Sequence, residues 1–380
     1  MVKRIIRFTW VVLMEINDLN SKLNRINLSK PYGMDLDKKN TFLLGIMQDL
    51  TTFHYENCSS YRNFSNLFQE FDIRPKSLDK IPFLPVRMFK QHDLVSIKSD
   101  SIFKTLTSSG TSGQSVSRIH LDSDTAKRQS KILSAITKNF IGEARLPMVI
   151  IDSDELTKDR VKLNARAAGI LGYSLFGRNH FYCLDKNLDL LTDQLSEFLQ
   201  KFNDRPILIF GFTFIVWQSL LQKVLERNIH LDFGKDSILI HGGGWKKLED
   251  QKVDNIVFKQ SLKEHLGINN VYNYYGMVEQ VGSVFMECGY GHLHCPDFAD
   301  VMIRDPLTLE VAPFKKEGVI QVLSVLPLSY PGHSLLTEDL GTIHGEDDCL
   351  CGRKGKYFTV SGRMPMAELR GCSDTRVLNT

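Results

Sequence analysis

Between residues 120 and 276 the sequence repeats one grammar, a short apolar run and then an amphipathic stretch. The runs are "PMVIID", "RPILIFGF", "DSILIHGGG" and "NNVYNYYG". They are rich in β-branched and aromatic residues and read as buried strands. The stretches "DTAKRQSKILSAITKNF", "ELTKDRVKLNARAAGILGY", "TFIVWQSLLQKVLERN" and "NIVFKQSLKEHLG" read as helices, the second closing on Gly172. Parallel neighbours need a crossover between them, usually a helix. The alternation therefore predicts an α/β fold with a mainly parallel sheet.

The flanks differ. Residues 15 to about 75 show helical periodicity, as in "TFLLGIMQDLTTFHYEN" and "YRNFSNLFQEFDI", which predicts a helical N-terminal cap over 1–75. In "IPFLPVRMF" the prolines impose an extended path. The α/β core is expected over 76–280. "HLHCPDFADVMI", "GVIQVLSVL" and "LLTEDLGTI" predict a β-rich subdomain over 281–355, leaving 356–380 as a short tail.

At 380 residues the chain exceeds what one hydrophobic core comfortably holds. Apolar residues make up 42% and charged ones 24%, as in a folded soluble protein. A net charge of +3, with no dense basic stripe, argues against a nucleic-acid partner. Seven cysteines without a paired framework point to a reducing compartment, where thiols are free, metal-bound or reactive. The start "MVKRIIRFTWVVLMEIN" has signal-like charge and an apolar run, but Phe8–Met14 is short and no small-residue cleavage site follows. No stretch reaches the roughly 18 apolar residues that a membrane span needs. A cytoplasmic chain is expected, with Met14 as an alternative start.

"LTSSGTSGQSV" gathers Thr107, Ser108, Ser109, Gly110, Thr111, Ser112 and Gly113. Consecutive small residues let backbone N–H groups converge on an anion, and the hydroxyls add donors. A flexible surface loop has the same composition. The setting between extended segments of an α/β core favours a phosphate cradle. It is not a Walker A loop, since no lysine follows Gly113.

"SSGTSG" resembles the phosphate loop of the adenylate-forming superfamily, the acyl-CoA synthetases and their relatives. Further segments follow in the superfamily's order: "HGGGWK" at His241–Lys246, "NYYGMVEQ" with Asn273, Tyr275, Gly276 and Glu279, "LLTEDLG" with Asp339, and "VSGRMPMAELRG" with Gly362, Arg363, Arg370 and Gly371. Within the superfamily, "IPFLPVRMFK", "GFTFIVW", "HGGGWKKLE" and "RGCSDT" are similar to the LuxE-type acyl-protein synthetases of the bacterial bioluminescence fatty-acid reductase complex. The similarity runs from residue 40 over most of the chain.

The resemblance implies the adenylate-forming large-domain fold and ATP-dependent activation of a fatty acid with Mg²⁺. Acyl-AMP and pyrophosphate form, and the acyl group passes to Cys372 as a thioester, for delivery to an acyl-reductase subunit. Thr107–Gly113 would hold the β- and γ-phosphates. Glu279 would ligate Mg²⁺, a hard ion suited to oxygen donors. Tyr275, beside Gly276, would stack on adenine, with Gly242, Gly243 and Gly244 bringing backbone to the ring. Asp339 would accept from the ribose hydroxyls, and Arg363 would donate on the ribose and phosphate side. Arg370 would lower the Cys372 pKa, and Gly371 would let the tail swing. His241 or His333 would serve as base. "GFTFIVWQ" at Gly211–Gln218 reads either as an acyl tunnel wall or as an ordinary buried helix start. The superfamily's C-terminal domain, with its catalytic lysine, is expected to be truncated here, and Pro365 stands where many relatives carry a charged hinge residue.

"MECGYGHLHCP" and "CLCGRKG" add two Cys/His clusters. Cys288, His294, Cys349 and Cys351 would make a tetrahedral Zn²⁺ site; partly buried, unligated thiols are the plainer reading. Beside self-acylation stand a carboxylate–CoA or carrier ligase, a non-catalytic scaffold that kept the fold, and acyl activation for surface polysaccharide or lipid modification.

Overall fold

The computed structural model describes residues 18–67, 71–108, 116–158, 165–245 and 252–364. One large sheet organises them, with strand order β11-β12-β13-β14-β10-β9-β8-β7-β6-β4-β5 and β1 pairing β13 from the side. Five of its strands form a parallel block: β5 (Gly177–Tyr182), β4 (Leu146–Ile151), β6 (Leu208–Phe212), β7 (Ile238–Gly242) and β8 (Asn270–Tyr275). The rest run antiparallel: β9 (Phe285–Glu287), β10 (Leu293–His294), β11 (Ala299–Arg304), β12 (Gly318–Ser324), β13 (Ser334–Glu346) and β14 (Lys356–Arg363). The expected β-rich segment therefore continues the α/β sheet, joined to it where β8 meets β9. The short β1 (Leu84–Pro85) lies parallel to β13, where the prolines hold the chain extended.

The apolar runs become β4, β6 and β7 because helices cover both sheet faces. Tyr272 packs on Phe140 of the helix Ser123–Ile141, and Tyr274 on Tyr173 of the helix Ala165–Ser174. Side chains alternate along a strand. His241 accordingly projects to the other face and meets Phe258 of the helix Asn255–Leu266. The helix expected to close on Gly172 runs on to Ser174, so Gly172 lies inside it. Asp122 and Asp254 cap helix starts by accepting from the Thr125 and Ile256 N–H groups.

Two buried charge clusters fix the frame. Arg166 grips Asp152 at the end of β4 through two contacts of 2.6 Å. Lys39, on the helix Leu36–Asn57, and Lys356 of β14 converge on Asp300 of β11 at 3.4 and 2.7 Å. Removing one partner of such a set leaves an uncompensated buried charge. That helix is thereby tied to the antiparallel half of the sheet.

In an open sheet of this kind, ligands collect beyond the carboxyl ends of the parallel strands. Here those ends carry Phe212, Gly242 and Tyr275. A separate hairpin of β2 (Lys104–Thr107) and β3 (Arg118–Leu121) brackets the hydroxyl-rich loop. No helix among the described residues is long and apolar enough to cross a membrane.

Candidate active site

β13 and β14 bring the first pair of candidate side chains together. Asp339 and Arg363 are register partners across these strands, and Arg363 Nε stands 3.3 Å from Asp339 Oδ1. Tyr275, the last residue of β8, donates its hydroxyl to Asp339 Oδ2 at 2.7 Å. Thr337, two residues upstream, accepts the Asp339 N–H at 3.1 Å. Burial pushes the Asp339 carboxyl up, against the Arg363 guanidinium and the Tyr275 hydroxyl, which pull it down. The outcome is a fixed acceptor with one cation beside it, a geometry suited to a vicinal diol.

The glycines at the end of β7 are shaped by their neighbours. A Cβ on Gly242 would stand 2.4 Å from the Tyr274 ring, so only glycine lets β7 run flush with β8. Gly243 then takes φ +78°, which favours glycine. Gly244 has open space where a Cβ would lie. Backbone is thus presented where the sequence reading expects the nucleotide ring. Tyr275 itself packs against Phe285 and Phe358.

Glu279 follows β8 in the short turn Val278–Gln280 and is 7% exposed. Burial raises its pKa, while the Ser117 hydroxyl, backbone, Lys90 and Arg363 act in the other direction. Among the described residues no ion pair reaches this carboxylate. A buried carboxylate without a close cation is costly, and an incoming divalent ion would relieve it. Glu279 thus has the chemistry to hold Mg²⁺.

The hairpin brings the base of the hydroxyl-rich loop, Ser108 and Ser117, to the same place. Thr107 faces Arg118 in register, and Ser108 and Ser117 close the loop's base by two bonds. The Ser108 N–H donates to the Ser117 carbonyl at 3.0 Å, and the Ser117 N–H donates to Ser108 Oγ at 2.9 Å. Ser117 in turn faces Glu279. Ser109, Gly110, Thr111, Ser112 and Gly113 lie outside the described residues, as do Lys246, Arg370, Gly371 and Cys372.

The second cluster lies at the other end of the β13–β14 hairpin. One ligand atom each from Cys288, His294, Cys349 and Cys351 falls within 4.8 Å of the others. Cys288 and Cys349 sulfurs are 4.0 Å apart, and Cys351 Sγ is 3.2 Å from His294 Nε2. Burial pushes the Cys349 thiol up to about 12 and the His294 imidazole down to about 4. Two soft thiols, a third beside them and a neutral imidazole form a zinc-type donor set.

The histidines offered as bases are both buried. His333 is wholly buried, stacked on His54 at 5.0 Å and held by Thr51 at 3.1 Å. His241 is buried with its Nδ1 2.9 Å from the Thr213 hydroxyl, and burial lowers its pKa to about 3. Burial disfavours the protonated form of both.

Comparison with known proteins settles the family. The acyl-protein synthetase family LuxE matches residues 13–379. The chain belongs to that family. A long-chain-fatty-acid–luciferin-component ligase of Vibrio harveyi is 23% identical over 372 residues, covering 94% of this chain and 92% of the relative. Its counterpart from Aliivibrio fischeri is 23% identical over 337 residues, covering 87% and 85%. Among solved structures, an open conformation of 2-hydroxyisobutyryl-CoA ligase superposes with TM-score 0.66 at 16% identity, over 88% of this chain and 76% of that one. The same ligase in its postadenylation state gives 0.66 at 17% identity, over 87% and 69%. The fold of this LuxE-family chain is therefore that of the adenylate-forming ligases.

In this LuxE chain the segment after β6 is not a plain helix. Residues Val216–Leu221 form a π-helical turn between shorter α-helical pieces. Such turns recur at functional sites. Trp217, inside it, stacks on Phe258 and meets Trp245 edge-on. Sequence periodicity at 3.6 residues hides a π turn, so this feature had no signal in advance.

Proposed function

We propose that this LuxE-family enzyme converts a fatty acid and ATP into acyl-AMP and pyrophosphate, then transfers the acyl group to its own Cys372. The observation that carries the nucleotide half is the convergence of Asp339, Tyr275 and Arg363 with the buried Glu279 beside the base of the hydroxyl-rich loop. Asp339 accepts from the ribose hydroxyls. Arg363 donates toward ribose and α-phosphate. Thr107–Gly113 wrap the β- and γ-phosphates, and Gly242 and Gly243 admit the base next to Tyr275. Bound Mg²⁺ would neutralise phosphate charge as the carboxylate attacks, and Glu279 is the residue that would hold it.

The fatty acid's carboxylate oxygen bonds to the α-phosphorus, and pyrophosphate leaves. The Cys372 thiolate then attacks the acyl carbon, AMP leaves, and a thioester remains for a reductase or another acceptor. The aromatic segment at Gly211–Gln218, with its π turn, supports an apolar wall for the acyl chain. Cys288, His294, Cys349 and Cys351 would hold a structural Zn²⁺.

The test is fatty-acid-dependent exchange of radioactive pyrophosphate into ATP, paired with labelling of the protein by radioactive fatty acid. Wild type should do both. Cys372→Ser should keep exchange and lose the protein label. Thioester formed on added CoA by Cys372→Ser, at the wild-type rate, would replace self-acylation with CoA ligation. No exchange with any acid of a panel would make the chain a scaffold.

A further inference from the structure

Near Glu279 lie buried polar atoms that the folded chain leaves without partners. Ser117 Oγ, Tyr330 OH and Gln129 Nε2 are buried and complete no hydrogen bond. They lie together. Ser117, wholly buried, faces the Glu279 carboxylate and favours its charged form. Tyr330, also wholly buried, lies near enough for the Glu279 charge to disfavour its phenolate, and the Val281 backbone and the Gln129 side chain stand beside its hydroxyl. Two glycines make room for this arrangement. A Cβ on Gly332 would stand 2.3 Å from the Tyr330 ring and 2.7 Å from the Glu279 carbonyl oxygen. A Cβ on Gly282 would stand 3.0 Å from Gln129 Cα.

Orphaned polar atoms cost stability, and a phenylalanine at 330 would avoid that cost at the same shape. Their concentration around one carboxylate therefore calls for a ligand-linked reason. Mg²⁺ keeps several waters and takes one or two carboxylates, whose oxygens must be aimed. Groups that orient a metal's ligands are a working part of a metal site.

We propose that Ser117, Tyr330 and Gln129 are positioning residues that orient Glu279 and its waters for the divalent cation. The proposal rests on the assignment of Glu279 made above. Ser117 donates to one carboxylate oxygen. Tyr330 donates to the other or to a water on it, and the Gln129 amide N–H donates to the Tyr330 oxygen. Ser117 is also bonded to Ser108 through its own N–H, at the base of the hydroxyl-rich loop.

Mn²⁺ binding, followed by electron paramagnetic resonance with a non-hydrolysable α,β-methylene ATP analogue, tests this. Tyr330→Phe, Ser117→Ala and Gln129→Met should each bind Mn²⁺ about 10–100-fold more weakly than wild type. Without metal, Tyr330→Phe should melt no lower than wild type, since it removes an unpartnered hydroxyl. That combination is foreign to a purely structural tyrosine. Three variants keep the test alive if one fails to fold. Mn²⁺ affinity within about 2-fold of wild type in the folded variants, with Glu279→Gln losing it, would overturn the positioning role alone. Wild type that holds no Mn²⁺ with the analogue would overturn the Glu279 assignment too.

Discussion

Asp339 and Arg363 face each other in register across β13 and β14, and Tyr275 reaches in from β8 to complete the set. Three separate stretches of sequence thus meet on one carboxylate. Asp339 owes its position to the ladder and not to its own turn. Hydrogen bonds to a charged group contribute about 1.5–3 kcal/mol. Asp339→Ala should therefore weaken ATP binding by about 10–100-fold in calorimetric titration. Tyr275→Phe, which leaves the carboxylate in place, should cost about 10-fold or less. Equal affinities for wild type and Asp339→Ala would remove the ribose from this site.

Gly242 predicts a steric effect. Its missing Cβ is replaced by the Tyr274 ring, which is itself wedged against Tyr173 at 5.2 Å and near Phe210. The ring has nowhere to move. Gly242→Ala should lose about 1–3 kcal/mol in urea unfolding, the usual penalty of overpacking. Unchanged stability would mean that the β7–β8 contact is slacker than it looks.

Much of this was legible in the residues. Met148–Ile151 and Leu208–Phe212 are apolar on both faces, as only a covered parallel strand is, and they form β4 and β6. Cys288, His294, Cys349 and Cys351, chosen from spacing, do converge. Other features carried no local mark. β5, "GRNHFY", is polar because it lies at the edge of the sheet, so no apolar run announced it. β10 has two residues and exists only through its partners β9 and β14. Ser117, Gln129 and Tyr330 belong to no motif. Tertiary packing, which a single sequence does not display, brings Ser117 and Tyr330 near Glu279 and Gln129 beside Tyr330.

Glu279 makes stability depend on pH. Burial holds its carboxyl above the ordinary glutamate value, so the folded chain binds this proton more tightly than the unfolded chain does. Stability of the metal-free protein is then full below the ordinary value and falls as pH rises through the raised one. Glu279→Gln lacks this slope. The variant should be the more stable protein at about pH 7, and the gap should narrow at about pH 4. Urea unfolding at both conditions checks it. A gap that is the same in acid and at neutrality would assign the effect to something other than this proton.

The cysteine–histidine cluster yields the prediction that is easiest to measure. Four ligands on a Zn²⁺, at about 2.0–2.3 Å from it, stand about 3.3–3.8 Å apart. The cluster's present spread, up to 4.8 Å, closes to that by small side-chain shifts. Its members come from the Cys288 turn, β10 and the β13–β14 turn, so a bound ion would staple two hairpins together. The protein as purified should contain one zinc per chain by mass spectrometry. Cys349→Ser and Cys351→Ser should each lose it, and chelation should lower the melting temperature by roughly several degrees. Arg363 lies at the far end of β14, about 23 Å along the strand at 3.3 Å per residue. Metal loss should therefore lower stability much more than it weakens ATP binding. A metal-free preparation that melts like Cys351→Ser and like wild type treated with zinc would leave these four residues as ordinary buried thiols and a histidine.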